Sequence, residues 1–224
     1  MAALSAIRTD IRNITGATDT AIISDATVTD LINKAQTVLA DDANLFPAYG
    51  TRNSVASTRV YTFLSGSDWT KVREGTTTSS TNLSDTIRIY RVDYDGDRST
   101  RINVDQIYDL ASDDSEMQIM TNKAYYIDQT QLGIFTIPNE VKEIKIYYYS
   151  LPTALSGDSD VPEIDTRYTE SLIYYGCWKV AERLRDMNLI NYFKMEFLEW
   201  RTKIIDDGEK RFGEDSFNVA YNDF

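Results

Sequence analysis

The sequence predicts an α+β protein in which both chain ends form a helical bundle and the middle of the chain is an inserted antiparallel β-domain. Near both termini, apolar residues recur at intervals of three and four, which is typical of amphipathic helices. Between residues 51 and 151, apolar and polar residues alternate in runs rich in tyrosine, valine and isoleucine, which is typical of strands. We therefore predict four regions: 1–50 and 152–207 in the bundle, 51–151 as the β-domain, and 208–224 as an extended C-terminal tail.

Two helices are predicted before residue 50. The apolar face of the first comprises Leu4, Ile7, Ile11 and Ile14. Gly16 follows as a C-terminal cap, and Ser24 or Asp25 can cap the start of the second helix. The apolar face of the second comprises Val28, Leu31, Ile32, Ala35, Val38 and Leu39. We expect Pro47 and Gly50 to end this helix.

The β-domain is predicted from alternating runs separated by turn residues. The candidate strands are "RVYTFLS", "TIRIYRVDY", "KAYYID", "LGIFTI" and "EIKIYYYS". The Ser/Thr-rich segment Gly75–Asp85 is interpreted as a flexible loop, and Asp93–Ser99 as a hairpin turn with Asp-Gly at its centre.

Two further helices are predicted after Pro152, the first capped by Asp165 or Thr166. Their apolar faces comprise Ile173, Cys177, Val180, Leu184 and Met187, then Ile190, Phe193, Phe197, Trp200 and Ile204. Four amphipathic helices must bury their apolar faces, and one bundle made by both chain ends does so most economically.

The composition argues against most enzyme chemistry. The 224 residues include no histidine and one cysteine, so neither a nucleophile–histidine pair nor a Cys/His zinc site is available. No glycine-rich phosphate-binding motif is present. We therefore predict that the protein is not an enzyme and that it has no cofactor and no metal site.

Charge and hydropathy restrict the partners. No apolar run approaches the roughly 20 residues that span a bilayer, and Arg8, Asp10 and Arg12 exclude a secretory signal of the usual layout. We expect no membrane association. The net charge of −12 predicts that any contact with DNA is repulsive on average, as at the wall of a smooth channel.

Two acidic clusters are candidates for a metal site or a catalytic site. Asp93, Asp95 and Asp97 resemble a calcium loop, but the glycine and the twelfth-position glutamate of that motif are missing, which favours a solvated hairpin over a weak cation site. A second cluster comprises Asp158, Asp160, Glu163 and Asp165. Paired carboxylates can hydrolyse glycosides, but no apolar pocket is evident beside these four, which favours helix capping.

Aromatic residues provide the candidate contact sites. A core or subunit-interface role is favoured over ligand stacking for five tyrosines: Tyr147, Tyr148, Tyr149, Tyr174 and Tyr175. Of these, Tyr148, Tyr174 and Tyr175 are predicted at the subunit interface, and Cys177 is expected to be a buried apolar residue. In the tail, two interpretations remain open, a frayed end and a segment that folds on a partner. The aromatic anchors of the second interpretation are Phe212, Phe217, Tyr221 and Phe224.

Two segments resemble the head-to-tail adaptor proteins of tailed phages. "DATVTDLINKAQTVLADD" is similar to their opening helix, with Asn33 and Gln36 in the "IN-AQ" positions. "IKIYYYSLPTALSGDSDVPEIDTRYTESLIYYGCWKVAERL" resembles their closing motif of strand, Pro-Leu turn, acidic segment and helix. The resemblance covers both chain ends well and the β-region only in general type.

The resemblance implies a structural part of the virion. Such adaptors form a dodecameric ring beneath the portal protein, extend the DNA channel, and offer a surface to the next tail or nozzle protein. Their C-terminal segment docks on the portal, a role that would fall to residues 208–224 here. It also implies assembly in the host cytoplasm and a location at the head–tail junction.

Two rival functions remain. A carbohydrate- or partner-binding module of a tail or surface protein would use the aromatic β-domain, with Tyr125 or Tyr126 in contact with a glycan. A carboxylate-based hydrolase would depend on Asp158 or Asp160.

Overall fold

The structure is a computed structural model that describes residues 2–66, 68–73, 75–103, 123–135 and 137–217. Its fold class is α+β, as the sequence predicts. The chain divides into two compact units. The helical unit comprises Met1–Leu45 and Leu151–Phe224, and the β unit comprises Phe46–Ser150. No helix within the described ranges is long and apolar enough to cross a bilayer.

The helical unit contains four helices in the described residues: α1 (Leu4–Thr15), α2 (Asp25–Ala43), α3 (Thr169–Leu184) and α4 (Met187–Phe217). A 3₁₀ turn, Thr166–Tyr168, precedes α3. The predicted caps of the first two helices are confirmed. Gly16 adopts a left-handed conformation with φ of 69° after α1, and the Ser24 hydroxyl accepts a hydrogen bond from the Thr27 amide at the start of α2.

Residues from both ends of the chain meet inside the helical unit. A Cβ atom on Gly176 of α3 would lie 2.4 Å from Cδ1 of Ile11 in α1, so only glycine permits this close approach. The buried Arg12 side chain donates to the carbonyls of Ala17 and Ile23 and to the Asp25 carboxylate, which fixes the connection between α1 and α2. The apolar faces predicted from the sequence are mostly buried, although Ile14, Leu184 and Met187 are exposed.

The β unit has ten described strands in two sheets, mainly antiparallel. The strands are β1 (Pro47–Asn53), β2 (Val60–Thr62), β3 (Trp69–Arg73), β4 (Thr76–Thr81), β5 (Thr86–Tyr94), β6 (Asp97–Arg98), β7 (Thr100–Arg101), β8 (Ala124–Asp128), β9 (Gln131–Phe135) and β10 (Glu143–Ser150). The first sheet has the order β4-β3-β1-β10-β5-β6, and the second has the order β2-β9-β8-β7. Apolar side chains from both sheets share one core, with Trp69 and Tyr148 among its largest fully buried members.

Strand β5 continues into β6 through the predicted hairpin turn. Asp95 and Gly96 both have positive φ, 56° and 79°, and Tyr94 pairs with Asp97 across them. Two central residues with positive φ are what a type I′ turn requires, so the Asp-Gly signal predicted this hairpin correctly.

Several segments differ from the sequence prediction, among them strand β3, which was not predicted. Pro47 and Gly50 lie within strand β1, where Pro47 occupies the first position and Gly50 admits Leu83, whose Cδ1 would be 2.7 Å from an added Cβ. The Ser/Thr segment predicted as a loop forms edge strand β4, which is almost entirely exposed and therefore shows no apolar alternation. Helix α4 continues through Phe217, so residues 208–217 are helical where an extended tail was expected.

Candidate functional site

The acidic hairpin is neutralised by basic side chains. Arg91 forms two hydrogen bonds of 2.7 Å with the two carboxylate oxygens of Asp93. Lys123 Nζ lies 2.9 Å from Asp97 and 3.4 Å from Asp95. Within the described ranges, no three Cys, Asp or Glu side chains are grouped so that they could hold a metal ion. The hairpin carboxylates thus stabilise a turn.

In the second acidic cluster each carboxylate has a separate partner. Asp158 pairs with Arg8 of α1. Asp160 accepts hydrogen bonds from the amides of Ser156 and Gly157, which hold the pKa of its carboxyl below the usual value. Glu163 accepts a hydrogen bond from the Thr153 amide, and Asp165 caps the 3₁₀ turn before α3. This arrangement organises the loop that leads into α3.

Cys177 lies in the interior of the helical unit, as the sequence predicts. Its side chain is fully buried, and burial raises the pKa of the thiol to about 12. A thiol with this pKa is neutral at pH 7 and is a poor nucleophile.

The three tyrosines predicted at a subunit interface occupy three different environments. Tyr148 is fully buried in the core of the β unit and offers no surface to a second subunit. Tyr175 is mostly buried and packs edge-on against Trp178 and Phe197, at ring-centroid distances of 5.6 and 5.1 Å. Tyr174 is half-buried with its ring 6.5 Å from Phe193. Tyr174 retains the most accessible surface of the three.

Tyr125 and Tyr126, the residues of the glycan hypothesis, are engaged within the β unit. Tyr125 is 4% exposed. Tyr126 lies over Gly133 of the adjacent strand, and a Cβ atom added to Gly133 would be 2.0 Å from its ring. A ring in this position covers the backbone of a glycine and leaves little of its face for a sugar.

The first sheet presents a group of partly exposed tyrosines, of which Tyr49 and Tyr90 were not indicated by the sequence. This tyrosine face comprises Tyr49, Tyr90, Tyr147 and Tyr149. Tyr147 is central, with ring-centroid distances of 5.9 Å to Tyr49 and 6.2 Å to Tyr90. Lys145 Nζ lies 4.0 Å from the Tyr49 ring centroid, which adds a cation to the face.

An irregularity in β5 adds Tyr90 to the tyrosine face. Tyr147 pairs with Arg91 and Tyr148 pairs with Ile89, so Tyr90 is the extra residue of a β-bulge. Its ring is 42% exposed and lies 4.7 Å from that of Tyr149. The alternation in "YYY" could have predicted Tyr147 and Tyr149 on one face, but nothing in the sequence marks the bulge.

A second exposed apolar group lies on α4. This α4 face comprises Tyr192, Met195 and Leu198, which are 54%, 61% and 37% exposed. Their spacing of three places them on one side of the helix, and Tyr192 also packs edge-on against Phe193. A monomer gains nothing from exposing these side chains, so we regard the α4 face as a candidate contact surface.

The predicted portal-docking aromatics fall at the end of α4 and beyond it. Phe212 and Phe217 lie within the helix range. Tyr221 and Phe224 lie outside the described residues.

The chain matches one family model, SU10 adaptor protein, over residues 2–213. The chain belongs to the SU10 adaptor protein family. This membership confirms the resemblance to phage head-to-tail adaptors, and the match includes both units. No curated protein sequence matches the chain.

The adaptor's "IN-AQ" residues have a structural role here. The Asn33 side chain of α2 donates to the Leu155 carbonyl at 3.0 Å and accepts from the Leu155 amide at 2.9 Å. Gln36 is fully buried and donates to Asn33. These bonds connect α2 to the loop before α3 within the helical unit of the adaptor.

Proposed function

We propose that this adaptor forms a dodecameric ring beneath the portal of a tailed phage, extends its DNA channel and connects it to a tail or nozzle protein. The observation that carries the proposal is the family match over residues 2–213. In the ring, the helices from both chain ends would act as one bundle. The adaptor would assemble in the host cytoplasm and remain in the virion at the head–tail junction.

The internal contacts of the helical unit support a structural role. Both chain ends contribute to it, through the Asn33–Leu155 hydrogen bonds and the close approach of Ile11 to Gly176. The acidic side chains of the loop before α3 serve in ion pairs and caps, and the thiol of the unit is protonated and buried. A ring subunit needs such a rigid body more than it needs reactive groups.

The net charge supports passage of DNA without binding. A chain with 23 basic and 35 acidic residues repels a polyanion on average, so a channel made from twelve copies would not retain the genome. Sequence-specific recognition would require basic side chains directed at the base edges, together with contacts to the phosphates.

Subunit contacts are proposed at the α4 face and the neighbouring aromatic side chains of α3. Tyr174 provides half-buried surface, and Tyr175 supports it from beneath by packing on Phe197. Exposed tyrosine and methionine are among the residues enriched at interfaces. Tyr148 is excluded from this role because its side chain is fully buried.

Docking on the portal is proposed for the C-terminal end of α4 and the residues that follow it. In this proposal, Phe212 and Phe217 fill portal pockets from a helix, and Tyr221 and Phe224 extend the contact. Helix-in-groove docking is a common mode for an aromatic-bearing helix.

Electron microscopy of the adaptor with the portal protein of the same genome tests the proposal. The full-length chain should add a ring to the portal. Truncation after Phe217 preserves the whole described helix and removes Tyr221 and Phe224. Truncation after Asp207 would also remove Gly208, which packs closely against the Ala43 carbonyl, so the shorter deletion is the cleaner test.

The outcomes separate the two parts of the proposal. A ring that is lost on truncation, or on substitution of Phe212 and Phe217 by alanine, supports both the adaptor role and the docking segment. If the ring still forms on the portal after every C-terminal change, the adaptor role is supported and the proposed docking segment is wrong. Absence of any ring and of any portal binding by the full-length chain rejects the adaptor role.

A second candidate function is a carbohydrate- or partner-binding module, and the tyrosine face is the observation that favours it. Exposed aromatic rings stack on sugars as readily as on protein. A glycan array with the wild-type chain and with Tyr90→Ala tests this directly. Glycan binding by a monomeric chain that Tyr90→Ala abolishes would favour the module over the adaptor.

A further inference from the structure

A cavity rich in arginine lies in the β unit beside strand β5. It has a volume of about 450 Å³ and opens to solvent. We call it the arginine cavity, and its polar and aromatic lining comprises Tyr90, Arg91, Arg98, Ser99, Arg101 and Tyr125. Strand β5 pairs with β10 along its length but with β6 only at Asp93 and Tyr94, and its middle residues, Ile89 to Arg91, line this cavity.

The three arginines of the cavity differ in their ionic partners. Arg91 is held by Asp93 in a bidentate ion pair. Arg98 and Arg101, in contrast, are exposed and form no ion pair with any residue of the described ranges. Two unpaired guanidinium groups beside one cavity repel each other, and an anion between them would remove that repulsion.

Ser99 provides a second, independent indication of a ligand. The residue is 6% exposed, and its hydroxyl has no hydrogen-bond partner among the described residues. A buried hydroxyl without a partner is costly, because it has lost its hydrogen bonds to water. An oxygen acceptor in the cavity would restore that bond.

These groups together match an oxyanion. Guanidinium groups bind carboxylates through paired N–H donors, and a serine hydroxyl adds a third donor. The rings of Tyr90 and Tyr125 add apolar surface beside these donors.

We propose that the arginine cavity binds acidic side chains from the helical unit of a second copy of this chain. The inference rests on the proposed ring. Charge complementarity between the two exposed arginines and the helical unit, which has 12 basic and 21 acidic residues and a net charge of −9, favours this occupant. The β unit has 11 basic and 14 acidic residues, a net charge of only −3.

A head-to-tail contact between unlike surfaces is the type that closes a ring. Candidate acids must be exposed and unpaired on the helical unit. Asp10, Asp30, Glu196, Glu199 and Asp206 carry no ion pair within the described ranges, and all but the half-buried Glu196 are exposed. Acid–arginine pairs between copies would fix the register of neighbouring subunits and make assembly dependent on salt.

Charge reversal tests the cavity. The double variant Arg98→Glu and Arg101→Glu should fold normally, because both side chains are exposed. We expect the protein concentration for half-maximal ring assembly, followed by mass photometry with and without portal, to rise at least about tenfold. The wild-type ring should weaken as sodium chloride is raised, and the variant should lose this dependence.

A matched control has the same change in net charge elsewhere. Lys34→Glu with Arg183→Glu reverses two exposed basic residues of the helical unit that form no ion pair in the described part of the chain. This control should assemble like the wild type. Circular dichroism and thermal unfolding of all variants should coincide, which separates an assembly defect from misfolding.

A charge-swap experiment identifies the partner. Each candidate acid is changed to lysine and the product is mixed with the Arg98→Glu, Arg101→Glu variant. Neither should assemble well alone, and the correct pair should assemble together, because each interface then joins opposite charges.

Three results would overturn the proposal. If the arginine variant assembles like the wild type, the cavity proposal fails and the ring remains. If the wild-type chain never assembles, both fail. If assembly is unchanged but the variant loses binding to a fluorescent DNA duplex in an anisotropy titration, the cavity binds phosphate instead.

Discussion

Two tyrosine-rich segments of this chain have different roles because one lies in a strand and the other in a helix. In β10, Tyr147, Tyr148 and Tyr149 alternate between two faces of the sheet. The middle ring is fully buried, while its neighbours belong to the half-exposed tyrosine face. In α3, Tyr174 and Tyr175 are separated by about 100° around the helix axis. Tyr174 is half-buried and Tyr175 is mostly buried.

The comparison shows that tyrosine content alone does not locate an interface. A strand places successive rings on opposite faces of the sheet, one face in the core and the other at least partly exposed. A helix allows a ring to be partly covered, as Tyr174 is, and supported by a more buried neighbour such as Tyr175. The period of the element therefore decides which tyrosine can contact another molecule.

Substitution of Tyr148 should give the largest effect. Tyr148→Ala leaves a large cavity in the β core, so we expect the free energy of unfolding to fall by about 3–5 kcal/mol. Urea unfolding of the full chain, followed by circular dichroism, measures the loss. Tyr90→Ala on the tyrosine face is the control and should cost about 1 kcal/mol or less. Equal losses from the two variants would contradict the assignment of opposite faces.

The helix should show a smaller and graded response. Tyr175→Ala removes edge-on ring contacts with Trp178 and Phe197, and we expect a loss of about 2–4 kcal/mol. Tyr174→Ala should cost about 1 kcal/mol, because its ring is half-buried. The same unfolding experiment ranks them, and a larger loss from Tyr174→Ala would reverse the proposed order.

Gly176 follows these two tyrosines and makes the closest contact between α1 and α3. Gly176→Ala places a methyl group 2.4 Å from Ile11 Cδ1, so overpacking opposes the better helix propensity of alanine. We expect a net loss of about 1–2 kcal/mol. Ile11→Val removes the Cδ1 atom, so the double variant should recover part of this loss in a double-mutant cycle. Simple additivity would show that the two residues do not meet.

Local patterns were sufficient to predict much of the fold. "TIRIYRVDY" and "EIKIYYYS" coincide with β5 and β10, because each has alternating apolar residues and one buried face. Ser24 and Gly16 marked helix ends, since capping depends on residues a few positions away. Both kinds of signal are local, because the residues that produce them lie within or next to the element that is predicted.

The missed elements depend on pairing with other strands. Strand β1 contains Pro47 and Gly50, which are ordinary stop signals, yet pairing with β3 and β10 makes it a central strand. Strand β4 has no apolar face and exists through its pairing with β3. Strand pairing overrides local propensity at both places, through distant β10 for β1 and through the adjacent strand β3 for β4.

The candidate contact surfaces also depend partly on local sequence and partly on the fold. The sequence indicated that the surplus tyrosines were important, but it did not distinguish Tyr148 from Tyr147 and Tyr149. The arginine cavity joins residues of β5 and β6 to Tyr125 of β8, which are brought together only by the two-sheet fold. No spacing of arginines along the chain could have predicted it.

The smallest expected effect is a loss of stability at alkaline pH, which should begin at a different pH for the Cys177 thiol and for the Tyr148 phenol. Burial raises the pKa of the Cys177 thiol from 9.0 to about 12, and burial also raises the pKa of Tyr148 above its ordinary value of 10.0. A raised folded-state pKa contributes stability that is complete below the unfolded-state pKa and is lost as pH rises. Loss linked to the thiol should therefore begin near pH 9, and loss linked to the phenol near pH 10.

Unfolding measured at pH 8, 9, 10 and 11 therefore distinguishes the two groups. Cys177→Ala should remove a loss of about 1 kcal/mol that the wild type shows by pH 10. Tyr148→Phe should leave that early loss intact and reduce the later one. If Cys177→Ala keeps the full loss between pH 9 and 10, the thiol is not buried in the helical unit.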